Sequence, residues 1–93
     1  MQRITDKQLE AVVTRINKMT NQPETPWRQE NGKNIANIGN YHLDFAYGGV
    51  KLVQMVSDGG GERDVLTMGF CTKRELYYAM FAFIAGMETK AAA

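Results

Sequence analysis

Tyr41 to Val56 reads YHLDFAYGGVKLVQMV, and the period of its apolar residues decides the fold. Tyr41, Leu43, Phe45 and Tyr47 alternate with His42, Asp44 and Ala46, the period of two expected of a half-buried strand. Gly48-Gly49 then supplies two residues that adopt positive φ freely, as a type I′ hairpin turn requires. With that turn, Tyr47 faces Val50, Phe45 faces Leu52, Leu43 faces Gln54 and Tyr41 faces Val56. The inner face of the hairpin is therefore expected to be aromatic and aliphatic on both strands.

The flanking segments extend this hairpin into a meander over residues 34–70. Downstream, SDGGGER at 57–63 predicts a second turn, and the Val, Leu, Thr, Met and Phe of Asp64 to Phe70 predict a third strand. Upstream, Ile35 to Ile38 is either a separate strand turning at Gly39-Asn40 or the start of one long strand bent at Gly39. The sheet then has three or four antiparallel strands. Residues 20–32, TNQPETPWRQENG, carry two prolines and no periodicity and are expected to form a loop. Trp27 is its only large apolar residue, expected as a lid over the core edge, with an exposed binding anchor as the other reading.

Both ends read as helices. Thr5 as N-cap, Gln8 three residues on, and Ile4 with Leu9 as a hydrophobic staple open a helix over 5–20, whose apolar face is Leu9, Val12, Val13, Ile16 and Met19. Thr72, Glu75, Cys71 and Leu76 repeat that arrangement and open a helix over 72–88, with 89–93 a frayed tail. At 100° per residue, Leu76, Tyr77, Met80, Phe83, Ile84 and Met87 share a stripe that should meet the sheet. Ala79, Ala82 and Gly86 form a strip expected to receive the first helix, leaving Tyr78 and Phe81 on the far side as candidate partner-binding residues, with Trp27 beside them. The expected architecture is a single α+β domain over 1–93, order α-β-β-β-α or with a fourth strand. It is a two-layer sandwich with both helices on one face of an antiparallel meander.

Composition narrows the function classes. Eleven Lys and Arg against ten Asp and Glu leave a net charge of +1, with the cations spread along the chain, so no strong field favours DNA or anionic lipid. One cysteine and one histidine cannot form a disulfide or a four-ligand zinc site, and no metal or cofactor is expected. A lone thiol suits a reducing compartment. The N-terminal MQRITDKQLE has no apolar run of signal-peptide length, and the longest uncharged run, Leu76 to Met87, is short of the roughly 20 residues that span a bilayer. A location in the cytoplasm, without membrane insertion, is the expectation.

Candidate chemistry is thin. His42 alternates outward beside Asp44, so a contact between them is one reading and an idle surface histidine the other. Cys71 precedes a helix N-terminus, which favours the thiolate, yet the staple position buries it against Leu76. No catalytic residue is assigned, and the chain is expected not to be an enzyme. Gly59, Gly60, Gly61 and Arg63 are candidate ligands for a small anion such as a nucleotide signal, although no phosphate-loop lysine follows. The order helix, three strands, helix is similar to that of the double-stranded RNA-binding domain. On that analogy Lys73, Arg74 and Lys51 would contact phosphates, although the Gly-Pro-x-His loop of that domain is replaced here by Tyr47-Gly48-Gly49-Val50.

Gly39-Asn40-Tyr41-His42-Leu43, Ala46-Tyr47-Gly48-Gly49-Val50, Gly59-Gly60-Gly61 followed by Asp64-Val65, and Lys73-Arg74-Glu75-Leu76 together resemble a family of short uncharacterised proteins of tailed bacteriophages and prophages. The resemblance covers Ile4 to Met87. It implies a non-enzymatic accessory protein in a bacterial cytoplasm that binds a host or phage protein, while the uncovered Tyr78 and Phe81 side of the second helix adds the expectation of a homo-oligomer.

Overall fold

The computed structural model describes residues 3–66 and 69–92. Its elements are α1 (Asp6–Met19), β1 (Trp27–Glu30), β2 (Lys33–Ala36), β3 (Tyr41–Ala46), β4 (Gly49–Met55), β5 (Glu62–Asp64) and α2 (Lys73–Ala92). The class is α+β, with two helices packed against an antiparallel sheet of order β3-β4-β5 and a separate two-stranded sheet, β1-β2. The order is thus α-β-β-β-β-β-α, two strands beyond the shortest expected meander.

The extra hairpin lies where a loop was expected. Trp27–Glu30 pairs antiparallel with Lys33–Ala36 through Asn31-Gly32, whose φ angles of 51° and 76° are those of a type I′ turn. Ile35 therefore belongs to a separate strand, and that strand pairs with β1 rather than extending the meander. All four residues of β1 are exposed, so the strand lacks the buried alternate positions that would have marked it in the sequence.

In the main hairpin the turn falls one residue earlier than expected, at Tyr47-Gly48, with φ of 54° and 72°. Tyr41 now faces Gln54, Leu43 faces Leu52 and Phe45 faces Val50. The two-residue shift in pairing keeps each side chain on its predicted face but moves Tyr47 and Val56 out of the ladder. Close approach explains it: a β-carbon on Gly49 would sit 3.1 Å from the carbonyl oxygen of Cys71, and Val50 exchanges both main-chain hydrogen bonds with Cys71 (2.9 and 3.0 Å). Gly49 is spent on that approach, leaving Gly48 for the turn. The third strand is also displaced, to Glu62–Asp64 rather than Asp64 to Phe70; Thr67 and Met68 of the expected strand lie outside the described residues.

Capping is as the sequence reads. The Gln8 amide donates to the Thr5 hydroxyl (3.1 Å) and the Thr5 amide to the Gln8 side chain (2.8 Å); at α2 the Glu75 amide donates to Thr72 (3.1 Å) and the Thr72 amide to the Glu75 carboxylate (2.9 Å). The helix continues past 88 to Ala92.

One core joins the layers: Leu9, Val12, Val13 and Ile16 of α1, Leu76, Met80 and Ile84 of α2, and Tyr41, Val50 and Leu52 of the sheet are buried together. Phe83, Met87 and Tyr77 pack half-buried around them. The helices run parallel, since Asp6 pairs with Lys73 at one end (2.8 Å) and Arg15 with Glu88 at the other (3.5 Å). Their contact is not the expected one. α1 meets the Tyr77 and Phe81 side of α2, around a groove of about 280 Å³ that also includes Gln8 and Arg15, whereas Ala82 and Gly86 are exposed.

Three buried asparagines hold the connection between α1 and β3. Asn17 donates to the Tyr41 carbonyl (3.0 Å) and accepts from the Tyr41 amide (2.8 Å). Asn40 donates to the Pro23 carbonyl (2.8 Å), and Asn37 to the Thr25 carbonyl (2.9 Å) while accepting from Arg28 (2.8 Å). Buried amides must be bonded, and these satisfy a chain segment that has few ladder bonds of its own.

Candidate functional site

The side of α2 turned away from α1 and the sheet carries Tyr78, Ala82, Ala85, Gly86 and Thr89, all exposed. Their spacing of i, i+4, i+7, i+8 and i+11 places them on one face over three turns. No charged side chain interrupts that face between Glu75 and Lys90. Tyr78 is 59% exposed and leans edge-on against Tyr77, with centroids 5.8 Å apart. Beyond Gly86 nothing lies within 4 Å of where a β-carbon would stand. Phe81, grouped with Tyr78 in the sequence, faces elsewhere: it is half-buried, edge-on to Tyr77 at 4.9 Å, and lines the groove against α1.

Trp27 and the triple-glycine loop, candidates for two different roles, are brought together. Trp27 is 45% exposed and covers the loop rather than the core; a β-carbon on Gly60 would lie 2.6 Å from the indole ring. With φ at +97°, Gly60 is doubly restricted to glycine. Its neighbours are already bonded inside the turn: the Gly60 amide donates to the Ser57 carbonyl (3.1 Å) and the Gly61 amide to the Ser57 hydroxyl (2.8 Å). Arg63 forks onto the Gln54 side-chain oxygen, with Nε at 2.9 Å. An anion would have to displace these bonds, so Gly60, Gly61 and Arg63 do not form an open cradle.

The phosphate-contact candidates are similarly engaged. Lys51 pairs with Asp64 (2.9 Å), lies 4.6 Å from the centroid of the Phe70 ring, and has its pKa raised chiefly by that hydrogen bond. Lys73 pairs with Asp6. Arg74 also has an interaction of its own.

Around Cys71, a cavity of about 420 Å³ is bordered by Phe45, Gly48, Val50 and Lys73. Burial pushes the thiol pKa up, the Glu75 charge adds to it, and the thiol donates to the Val50 carbonyl (3.4 Å). Those three effects oppose thiolate chemistry. His42 contacts Glu62 and Asn40 rather than Asp44: Nε2 meets the Glu62 carboxylate and Nδ1 the Asn40 side-chain oxygen at 3.0 Å. These contacts tie β3 to β5 and, through Asn40, to Pro23. No group of three or more metal-ligating side chains is found among the described residues, and no helix there is long and apolar enough to cross a membrane.

Compared with known proteins, the chain matches no family model, no curated protein and no solved structure.

Proposed function

We propose that this chain works by binding a protein, without catalysis, as a small accessory protein of the kind tailed phages and prophages encode, and that it does so as a homodimer in a bacterial cytoplasm. The observation that carries the reading is the uncharged outward face of α2, Tyr78 with Ala82, Ala85, Gly86 and Thr89. An exposed helix face ordinarily bears charges, and a continuous face without them marks a contact surface. Its shape favours a second copy. Tyr78 projects at one end and the small residues lie about 6–17 Å further along the axis. A twofold axis that sets two such faces antiparallel brings each tyrosine over the other copy's small residues, so the surface is complementary to itself.

Size-exclusion chromatography with light scattering tests this on the wild type, Tyr78→Glu and Ala82→Glu. Because both side chains are exposed, the variants should remain folded, with melting temperatures near that of the wild type. A dimeric wild type with monomeric variants is expected; a monomeric wild type at micromolar concentration contradicts the dimer.

A further inference from the structure

β3 is an edge strand whose alternate residues face an open side, and we propose that this edge is a strand-addition site for an extended peptide with apolar residues alternating with Lys or Arg.

The register settles which main-chain groups are open. The Met55 amide donates to the Asn40 carbonyl (2.9 Å), so the even-numbered residues of β3 bond to β4. The odd-numbered ones face outward, as the two bonds from the Asn17 side chain to Tyr41 also show. Asn17 thus occupies the first outward position as a neighbouring strand would. The next two, Leu43 and Phe45, have no hydrogen-bond partner for their outward amide and carbonyl groups among the described residues. These two amides and two carbonyls, two residues apart, are the pattern an added strand pairs with.

A groove of about 300 Å³ lies against this edge, between β3 and α1, and includes Glu10, Val13, Thr14, Pro26, Leu43 and Phe45. Side chains of an added strand on the helix side would enter it beside Phe45, which is 48% exposed. Those on the other side would stand level with Asp44. Glu10 and Asp44, one on each side of the edge, have no ion-pair partner among the described residues; Lys51, across from Asp44, is bonded to Asp64, and Glu24 to Lys18 (3.8 Å). Lys51 also feels the Asp44 charge but is hydrogen-bonded to Asp64, so the negative charge flanking the edge is only partly compensated, which suits a basic segment.

The same charge argues against a second copy here. The antiparallel pairing that uses both open residues sets Leu43 against the other copy's Phe45 and places Asp44 directly opposite Asp44. Like charges in that position are destabilising. The site is separate from the outward face of α2 and extends the protein-binding reading to a second surface with a defined partner chemistry.

The test uses fluorescence polarisation with a labelled, end-capped Lys-Val-Lys-Val-Lys peptide, its Glu-for-Lys counterpart, and a version N-methylated at alternate amides. Saturable binding of the lysine peptide is expected, weaker by about tenfold or more for the acidic and N-methylated peptides, and for the lysine peptide with Asp44→Lys protein. Amide exchange at Leu43 and Phe45 should slow in the complex. Tyr78→Glu should leave peptide affinity within about twofold, so failure of the α2 dimer and failure of this site read out separately. No saturable binding up to about 1 mM overturns the proposal, as does equal binding of the N-methylated peptide. Self-association that increases with Asp44→Asn, without peptide binding, would assign the edge to a second copy instead.

Discussion

Asn17 is the residue on which the join between helix and sheet turns. Both polar atoms of its side chain are used on one residue of β3, at 3.0 and 2.8 Å, and the side chain is 1% exposed. Removing it strands the Tyr41 amide and carbonyl where water has poor access. Asn17→Ala should lower the unfolding free energy by about 1–3 kcal/mol in a denaturant titration, the cost of leaving buried partners unsatisfied. A loss below the error of the titration would mean that water replaces the amide. Nothing in the sequence marked this role. Asn17 lies beside the apolar face of α1, where polar residues usually meet solvent, and its partner is the main chain of a residue 24 positions away. Asn37 and Asn40 were equally unreadable, because each reaches back to carbonyls of the 23–25 segment, whose course is set by the fold.

At the scale of elements, the parts that local chemistry determines were legible. Both capping boxes form as Thr5/Gln8 and Thr72/Glu75 indicate, and the stripe of Leu76, Met80 and Ile84 is buried. The hairpins depended on competition between positions. Gly48-Gly49 offered one turn, yet the demand of Cys71 for room beside Gly49 moved it; Asn31-Gly32 is a strong turn signal that went unused because the strands around it are polar. The facing of the two helices was not legible in the sequence: a small-residue strip can receive a helix or remain bare, and the i, i+4 arithmetic does not choose.

Glu75 makes the cap of α2 testable. Its pKa is lowered by accepting first from the Thr72 amide and also through the Thr72 hydroxyl, so the folded state favours the carboxylate. A depressed folded pKa stabilises above the unfolded value and loses that contribution as pH falls through the folded one. Thermal melts should therefore show wild type losing stability below the ordinary carboxylate range. Glu75→Gln, which still accepts the Thr72 bond but does not titrate, should flatten that acid limb relative to wild type. Thr72→Ala should cost about 1 kcal/mol at neutral pH. An unchanged acid limb in Glu75→Gln would place the acid sensitivity elsewhere.

The whole molecule is a sandwich with its helices parallel and tied at both ends by Asp6–Lys73 and Arg15–Glu88, and the outer face of α2 and the outer edge of β3 are among the surfaces it leaves uncovered. Of the candidate partner residues, Tyr78 stands on the first surface, Phe81 lines the groove against α1 and Trp27 covers the glycine loop. The edge of β3 was invisible beforehand because being an edge is a property of the sheet order. Within the sheet β3 is bonded on one side only, to β4, with Asn17 closing the first outward position. Residue-resolved amide hydrogen exchange on the free protein measures this directly. Protection is expected at Tyr41, Asp44 and Ala46, with Leu43 and Phe45 exchanging near the rate of an unstructured chain. Protected Leu43 and Phe45 amides in the free protein would contradict it, for the edge would then already be paired.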